Sequence, residues 1–365
     1  MKTDIVIGLQ HGDEGKGKVI NSLLKQRKIN VYENSSQTMR KSKKSPETYD
    51  YCVRYNGGPN AGHTIYYNNK KVVLHQIPIG IVYGIPSIIG PACVLDISKL
   101  KLEKEELINV GIECKTIEKN LFISFNTHII EPAHIEEDVK TDKVGSTGTG
   151  IRPTYRDKFN RRGRRVGDND TKRICGFLVI DPYTLLYPEA DPTSNQSKEL
   201  SILCEGAQGF ELDIDWGDYP FVTSSNCLAG FCCTAGIPPQ SVNKVYGIAK
   251  IYETYVGKKQ FQPPDDVFVR LQKLGNEFGA TTGRPRQCNW LDLSRLIRAI
   301  KINGVTDLII NKCDIIKELD YFYIYEGVEL KAFHTFKQMR SYLEERIFKI
   351  KSISSIVFSG SKDSV

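Results

Sequence analysis

The chain has 365 residues, of which 40% are hydrophobic and 10% aromatic, an ordinary globular composition that allows one large domain or two smaller ones. Its net charge of +7 comes from basic residues spread along the chain without the aromatic signature of RNA-binding proteins, so anionic small substrates explain it as well as nucleic acid does. The ten cysteines form no C-x-x-C pair or zinc-type set, and no apolar stretch is long enough for a signal peptide or a membrane span, which predicts a cytoplasmic protein with reduced thiols.

Short apolar runs alternate with helical and turn-rich segments along the chain. This order predicts a single α/β domain over residues 1–365, in which we expect a large central, mixed but mainly parallel β-sheet flanked by helices. The predicted strands are residues 3–9, 72–74, 87–95, 121–125, 177–180, 200–204, 244–251, 307–310 and 354–358. Helices that cover the sheet are predicted from apolar spacing at residues 103–110, 291–302 and 336–348.

The first strand leads into a glycine-rich turn, residues 8–18, and then into an amphipathic stretch at 19–29. Glycines at a bend let backbone N–H groups surround an anion, and the start of a helix adds partial positive charge. The unit therefore predicts a P-loop-like phosphate-binding loop after the first strand. It departs from the Walker A pattern because Val19 replaces the Ser or Thr that binds magnesium. Asp13, inside the loop, is a candidate for the missing hard oxygen ligand.

Two polar segments interrupt this pattern. Residues 33–50 contain almost no core-forming residue and are predicted to be a mobile surface insertion, because they cannot offset the entropy lost on ordering. The basic run at 40–44 leaves open an alternative role as an arm that touches polyanions. Residues 191–198 are predicted to form a second surface loop.

Residues 54–64 combine a glycine-rich turn with a histidine, two amides and an arginine. In this setting His63 is a candidate acid, base or electrophilic hydrogen-bond donor rather than a structural imidazole. Further along, a turn rich in hydroxyl groups and glycine at 145–150 precedes a strongly basic run at 152–165. The hydroxyls and one or two of these arginines suit a phosphate monoester, and the remaining arginines are explained as a solvated helix start.

Two more segments offer ligand-binding groups. Residues 205–226 follow an apolar strand, where α/β proteins place ligand pockets, and Gln208 offers both a donor and an acceptor to the edge of a purine. The turn at 281–286 holds Arg284 and Arg286 one residue apart, and their forked guanidinium groups fit carboxylates or phosphates. This turn is predicted to close over a ligand, with a static turn as the alternative.

Residues 311–314 follow an apolar strand and match the N-K-x-D pattern that recognises guanine. The carboxylate of Asp314 can accept the N1–H and exocyclic amino protons of guanine, whereas adenine offers neither and leaves the carboxylate unpaired. Sites built in this way discriminate by about 10⁴-fold or more. Together with the phosphate loop, this motif predicts a guanine-nucleotide site.

These segments, in the same order, resemble the motifs of the adenylosuccinate synthetase family, whose members join IMP to L-aspartate at the expense of GTP. Seven stretches in order make coincidence negligible. They are residues 8–18, 54–64, 145–155, 205–209, 213–226, 281–286 and 312–314. The resemblance implies the fold of the family, its ligase activity in purine biosynthesis and its use of Mg²⁺.

The resemblance also implies a mechanism. Asp13 should take the N1 proton of the IMP base while binding magnesium, with the Gly62 carbonyl as a second ligand. His63 should donate a hydrogen bond to the β/γ-phosphate region of GTP, and Lys16 should stabilise the γ-phosphoryl group as it moves to the 6-oxygen of IMP. The amine of aspartate then displaces phosphate from 6-phosphoryl-IMP. Gln208 completes the implied catalytic set.

The implied binding residues fall into three groups. The GTP site would contain Gly12, Glu14, Gly15, Lys16, Gly17, Lys18, Gly62, His63, Thr64, Arg286, Lys312, Asp314, Ser359 and Gly360. The IMP site would contain Asp13, Asn60, Thr147, Arg161, Gln208, Thr223 and Arg284. The aspartate site would contain Thr281, Thr282 and Arg284. By the same analogy the protein is a homodimer in which Arg161 reaches the IMP phosphate of the neighbouring subunit, and residues 96–200 form a capping subdomain over the IMP site.

Four positions depart from the pattern of the family. His11 replaces a tryptophan, Asn21 an aspartate, Thr149 an often basic residue and Arg152 a glycine. Arg152 is the most consequential of these, because its bulk beside the phosphate-binding turn is expected to alter nucleotide fit or dimer contacts. The residues that would perform the chemistry are retained.

Two alternatives stay open at this point. A related synthetase would join aspartate to dGMP instead of IMP with the same fold, although retention of Asp13 favours IMP because such a variant is expected to replace that base. A non-catalytic GTP-binding regulator would keep the nucleotide loops, but it would not need the intact turn at 281–286.

Overall fold

The structure is a computed structural model that describes residues 1–35, 48–141, 144–188, 199–279 and 283–360. Its strands are β1 (Lys2–Gly8), β2 (Tyr51–Arg54), β3 (His63–Tyr67), β4 (Lys70–Leu74), β5 (Ser87–Ile89), β6 (Val94–Leu95), β7 (Leu121–Ser124), β8 (His128–Ile129), β9 (Arg173–Ile174), β10 (Phe177–Ile180), β11 (Ser201–Glu205), β12 (Val242–Lys250), β13 (Tyr252–Tyr255), β14 (Gln287–Asp292), β15 (Asp307–Asn311), β16 (Phe322–Glu326), β17 (Glu329–Phe333) and β18 (Ser355–Phe358). Its α-helices are α1 (Lys16–Ser35), α2 (Ile97–Asn109), α3 (Cys114–Asn120), α4 (Pro132–Lys140), α5 (Ile151–Phe159), α6 (Pro182–Leu186), α7 (Asp266–Leu274), α8 (Leu293–Asn303), α9 (Cys313–Leu319) and α10 (Phe336–Ile347).

Ten strands form the main sheet, in the order β18-β15-β12-β1-β11-β2-β5-β7-β10-β9. Neighbouring strands run parallel except for the antiparallel pair of β9 and β10 at one edge. The predicted mixed, mainly parallel sheet is therefore confirmed. β1 lies near the centre, where Ile5 is opposite Cys204 of β11 and Val245 of β12. Three smaller sheets pair β13-β14-β16-β17, β3-β4 and β6-β8.

Alternate side chains of β1 enter two different hydrophobic cores, because successive residues of a strand point to opposite faces of the sheet. Ile5 and Ile7 pack in a core to which α7, α8, α9 and α10 contribute. Val6 packs in a second core with α1, α2 and α3. The main sheet is thus covered by helices on both faces, which is why residues 5–7 of its central strand are all apolar.

Every predicted strand corresponds to a strand of the structure, with one difference at residues 87–95. There the predicted single strand is two, β5 in the main sheet and β6 in a small sheet with β8, because Gly90 and Pro91 interrupt the run. The sequence pattern does not predict β2, β3, β8, β9, β13, β14, β16 or β17. These strands mix polar with apolar residues, so their pairing with neighbouring strands decides their conformation.

Helix α1 begins closer to the N-terminus than predicted. α1 begins at Lys16, so Lys16, Gly17 and Lys18 form its first turn instead of preceding it. The helix also continues to Ser35, beyond the predicted end at residue 29. The amide groups at its start therefore lie next to the loop itself, as an anion site at a helix N-terminus requires.

The structure describes the two ends of the predicted insertion at 33–50. Residues 33–35 belong to α1, and buried Tyr49 donates a hydrogen bond to Asp4 Oδ2 at 2.7 Å. Residues 36–47, including the basic run, lie outside the described part of the chain, as does the predicted loop at 191–198. Within the segment 96–200, β7, β9 and β10 extend the main sheet, whereas α4 and α5 pack together. No helix in the described ranges is long and apolar enough to cross a bilayer.

Several of the predicted motifs lie at the same edge of the main sheet. Parallel neighbouring strands place their carboxyl ends together, and α/β proteins bind ligands at that edge. The strands that end there and lead directly into predicted site segments are β1 at Gly8, β2 at Arg54, β11 at Glu205, β15 at Asn311 and β18 at Phe358.

Candidate active site

A cavity of about 690 Å³ opens beside the phosphate loop. Its volume lies in the range that holds a nucleotide-sized ligand. Its wall brings together nine of the predicted site residues, namely Gly12, Asp13, Lys16, Asn60, Gly62, His63, Thr147, Gln208 and Thr223. Because these residues come from separate loops, the fold assembles the cavity from segments that are distant in sequence.

Glu14 holds the phosphate loop together from within. Its buried carboxylate accepts hydrogen bonds from the backbone N–H groups of Gly12 at 2.8 Å and Gln10 at 3.2 Å. It also pairs with Lys16 Nζ at 2.7 Å, and Lys16 Nζ donates in addition to the Gln208 carbonyl. The carboxylate thus occupies amide groups and a cation that would otherwise be free for a bound anion.

Asp13 stands at the tip of the loop with a left-handed backbone, at a φ of 60°. Its carboxylate pairs with Arg286 Nε at 2.8 Å, and Arg286 also pairs with Glu277 at 2.6 Å. Burial alone would raise the pKa of Glu277, but Lys250, Arg286 and Lys312 outweigh it and lower that pKa to about 2. Asp13 is therefore linked through Arg286 to buried Glu277, which also pairs with Lys250.

His63 is buried against Arg54 and Glu205. The two Nη atoms of Arg54 lie 3.3 Å and 3.2 Å from the ring nitrogens of His63, and Glu205 Oε2 lies 3.6 Å from Nδ1. Burial, followed by the charges of Arg54 and Lys16, holds the pKa of His63 well below its usual value. The imidazole is therefore neutral at physiological pH, and the nitrogen that carries its proton can donate a hydrogen bond to a ligand once the ring turns away from Arg54.

Gln208 and Asn60 hold each other on the cavity wall. Gln208 Nε2 donates to Asn60 Oδ1 at 3.0 Å, and Gln208 has a left-handed backbone at a φ of 58°. Gln208 Oε1 is buried and has no hydrogen-bond partner among the described residues. This oxygen is an acceptor that a bound ligand can use.

The turn at 145–150 is organised by a carboxylate of α4. Asp138 Oδ2 accepts hydrogen bonds from Gly150 N at 3.0 Å and Ser146 Oγ at 3.1 Å. Within the turn, the hydroxyls of Thr147 and Thr149 lie 2.9 Å apart. No sequence motif marks Asp138, because an acidic residue near the end of an amphipathic helix is usually only solvated.

A second cluster lies next to the loop, around the guanine motif. Lys18 Nζ donates to Ser359 Oγ at 2.7 Å and to Asn311 Oδ1 at 3.3 Å. Asn311 Nδ2 donates to the Glu14 carbonyl at 2.7 Å, which ties the end of β15 to the phosphate loop. Gly360 packs close to Asp314, where a side-chain Cβ would lie 3.2 Å from the Asp314 nitrogen.

A model of the adenylosuccinate synthetase family matches residues 45–175 and 190–352, well over half of the chain. The chain belongs to the adenylosuccinate synthetase family. It is accordingly a ligase that forms a C–N bond.

Individual relatives agree with this family assignment. The adenylosuccinate synthetase of Parabacteroides distasonis is 38% identical to this chain, over an alignment that covers 91% of this chain and 84% of that protein. The fully ligated adenylosuccinate synthetase from Plasmodium falciparum has a TM-score of 0.76 and 25% identity, and the match covers 99% of this chain and 98% of that one. The succinoaminodeoxyadenylate synthetase of cyanophage S-2L, bound to dGMP and dATP, shares the fold with a TM-score of 0.70, 18% identity and coverage of 100% and 93%.

The remaining residues predicted for this synthetase lie outside the cavity wall. Those in or next to the phosphate loop and the guanine cluster are Glu14, Gly15, Gly17, Lys18, Thr64, Lys312, Asp314, Ser359 and Gly360. Arg286 lies behind Asp13, and exposed Arg284 approaches the turn at 145–150, with Nη1 3.4 Å from the Ser146 carbonyl. Arg161 is exposed just after α5. Thr281 and Thr282 lie outside the described residues.

Two of the departures from the family pattern have clear contacts in this synthetase. Arg152 lines the cavity and turns toward α4, with Nε 3.7 Å from Asp138 Oδ1 and a hydrogen bond to the Thr141 hydroxyl. Asn21 accepts a hydrogen bond from the Tyr83 hydroxyl. The bulk of Arg152 is thus directed along the rim of the cavity and paired with a buried acid.

Proposed function

We propose that this protein catalyses the GTP-dependent ligation of L-aspartate to IMP, giving adenylosuccinate, GDP and phosphate in AMP biosynthesis. The observation that carries the proposal is the meeting of Asp13, Lys16, His63 and Gln208 in one cavity, from three separate loops. An acid, a cation and a neutral donor around an unpaired amide oxygen are the groups that activation of a 6-oxopurine needs.

Activation of IMP comes first, because its 6-oxygen is a poor leaving group. Asp13 takes the N1 proton, the 6-oxygen attacks the γ-phosphorus of GTP, and GDP leaves as 6-phosphoryl-IMP forms. Lys16 and the loop N–H groups stabilise the transferring group, and neutral His63 donates a hydrogen bond to the phosphates of GTP. The amine of aspartate then attacks C6 and displaces phosphate. For this chemistry Asp13 must leave Arg286, and Lys16 must leave Glu14.

Magnesium fits the oxygen donors of this cavity. The Asp13 carboxylate is partly exposed, and the Gly62 backbone also lies on the wall. Magnesium in nucleotide sites typically uses one or two carboxylates and completes its shell with water and substrate phosphates. Among the described residues, no group of three or more His, Cys, Asp or Glu side chains forms a metal site, so the protein would supply few ligands. When bound, Mg²⁺ neutralises charge on the GTP phosphates.

The three substrates would occupy adjoining sites. IMP would contact Asn60, Thr147, Gln208 and Thr223, with Arg284 close by. GTP would extend from the phosphate loop toward Lys312, Asp314, Ser359 and Gly360, and Arg286 would join it once released from Asp13. The aspartate carboxylates would be held by Thr281, Thr282 and Arg284.

We propose a cytoplasmic homodimer in which Arg161 reaches the IMP phosphate of the neighbouring subunit. The exposed position of Arg161 just after α5, outside its own cavity wall, supports such a contact. A surface arginine without a role in its own site is well suited to a phosphate of a partner molecule.

The experiment that tests the function is a spectrophotometric assay of adenylosuccinate formation with IMP or dGMP, GTP or ATP, L-aspartate and magnesium. We expect product only with IMP and GTP, because Asp13 is retained and the N-K-x-D motif selects guanine. Asp13→Ala and His63→Ala should each lower kcat by on the order of 10²-fold or more.

Other outcomes would change the assignment in defined ways. Greater activity with dGMP than with IMP would identify the alternative synthetase, whose fold the cyanophage protein also has. Product with ATP would contradict the guanine assignment. A chain that binds GTP but makes no product would be a GTP-binding regulator.

A further inference from the structure

His11 lies on the wall of the cavity, two residues before Asp13, and the mechanism above does not use it. Its side chain is only 1% exposed. Neither of its ring nitrogens has a hydrogen-bond partner within the described part of the chain. Buried polar atoms in folded proteins are nearly always paired, so these two nitrogens point to a partner that arrives with a ligand.

The surroundings of His11 fix the orientation of its ring. Tyr255 and Phe261 meet the imidazole edge-on, with ring centroids 5.5 Å and 5.0 Å away. Glu253 Oε2 lies 3.5 Å from Nδ1, and Glu253 Oε1 accepts a hydrogen bond from the Asp292 N–H at 3.2 Å. Nδ1 therefore faces Glu253, and Nε2 is the nitrogen left for a ligand.

Glu253 is buried together with His11 and lies on the Nδ1 side of the ring. Nε2 is therefore the nitrogen that can exchange a hydrogen bond with a ligand, as donor or as acceptor.

We propose that His11 binds the purine monophosphate, through a hydrogen bond between Nε2 and that nucleotide, and that Glu253 is the residue that positions its ring. The inference rests on the proposed function and adds a specificity contact to the same site. The monophosphate is favoured over GTP because His11 shares the cavity wall with Gln208 and Thr223, whereas the guanine cluster around Lys18 lies outside that wall.

The test begins with His11→Phe, which keeps an aromatic ring against Tyr255 and Phe261 but removes both nitrogens. KM for IMP should rise by about 3- to 10-fold, the loss expected for one neutral hydrogen bond, while KM for GTP and for aspartate changes by less than about twofold. Calorimetric titration of IMP into the protein without GTP should show the same loss of affinity. His334→Phe, at an exposed position, is the matched control and should change none of these values.

Three further variants separate hydrogen bonding from packing. His11→Gln restores an amide group that can form a hydrogen bond and should bind IMP more tightly than His11→Phe. Glu253→Ala should weaken IMP binding when His11 is present but should add little to His11→Phe, because the two residues act as one unit. Glu253→Gln keeps a hydrogen-bonding group beside Nδ1 and should weaken IMP binding less than Glu253→Ala does.

Several results would overturn the inference. An unchanged KM for IMP in His11→Phe, an equal rise in all three KM values, or a rise for GTP alone would each exclude the proposed contact. Additive losses in the double variant would exclude the role of Glu253. If the parent chain makes no adenylosuccinate, the proposed function fails, but the IMP titration still tests the contact of His11.

Discussion

At the scale of single residues, a buried acid behind the cavity affects the electrostatics of a group that faces it. Glu205 is the last residue of β11, the strand that leads to Gln208. It lies behind His63, and its Oε1 accepts a hydrogen bond from Ile79 N at 2.7 Å. Burial raises the pKa of Glu205 to about 7, although Arg54 acts in the opposite direction. A carboxyl that is easily kept neutral leaves the neutral imidazole of His63 without a full negative charge beside it.

This raised pKa makes a prediction for stability. In the parent, the carboxyl of Glu205 ionises near pH 4.5 when the chain is unfolded but only near pH 7 when it is folded. Its contribution to the free energy of unfolding is therefore fully present below pH 4.5 and is lost as the pH rises through about 7. Glu205→Gln cannot ionise, so its free energy of unfolding relative to the parent should increase between pH 5 and pH 8, by on the order of 3 kcal/mol at most. Urea unfolding of both chains at the two pH values measures this difference.

The control for this prediction is Glu105→Gln on the exposed side of α2, which should differ from the parent by the same amount at both pH values. If Glu205→Gln also shows an equal difference at pH 5 and pH 8, the carboxyl of Glu205 does not change its ionisation in the folded protein over this range.

At the scale of secondary-structure elements, the phosphate loop is held by its neighbours rather than by its own sequence. Gly209 of the turn after β11 packs directly against it. A Cβ at Gly209 would overlap the Gln10 carbonyl oxygen and the Glu14 carboxylate, and it would lie 2.8 Å from the Gly12 nitrogen. The close approach of two backbones is therefore the reason for glycine at this position.

Gly209→Ala should lower the free energy of unfolding by about 1–3 kcal/mol, because the new methyl group forces the loop backbone to move. It should also raise KM for GTP, because the proposed phosphate contacts come from the displaced loop. Gly230→Ala is the matched control, because a Cβ there meets nothing within 4 Å. Denaturant unfolding and steady-state kinetics of the two variants would measure both effects, and equal behaviour of the variants would contradict the packing argument.

At the scale of the whole molecule, variants of Arg161 can test whether the proposed site is built within one subunit or shared between two. Arg161→Leu and Asp13→Ala should each be inactive alone. Mixed in equal amounts, they should regain about a quarter of the parent activity, because half of the randomly formed dimers are hybrids with one complete site each. The mixing assay should be made after dissociation and reassociation of the two chains, and absence of any rescue would place Arg161 outside the partner's site.

Predictions from the sequence were most successful for strands and helices that are marked by runs or regular spacing of apolar residues. The run predicted at residues 3–9 forms β1, Lys2–Gly8, because its apolar residues 5–7 are buried in the two cores on opposite faces of the sheet. The helices at 291–302 and 336–348 follow from apolar spacing, and the structure places them at Leu293–Asn303 and Phe336–Ile347. Seven of the predicted residues on the cavity wall belong to segments that come directly after the parallel strands β1, β2 and β11, namely Gly12, Asp13, Lys16, Asn60, Gly62, His63 and Gln208; their roles stay predictions.

The sequence alone thus determined the α/β fold, the phosphate loop and the family, because hydrophobic period, glycine spacing and motif order are local properties of the chain. Only the tertiary structure decided that Arg286 pairs with Asp13, that Glu205 stands behind His63, and that His11 is buried with unpaired nitrogens. These contacts join residues up to 273 positions apart, as between Asp13 and Arg286 (286 − 13 = 273). Burial and neighbouring charges, which exist only after folding, set the protonation of such groups and therefore their chemistry.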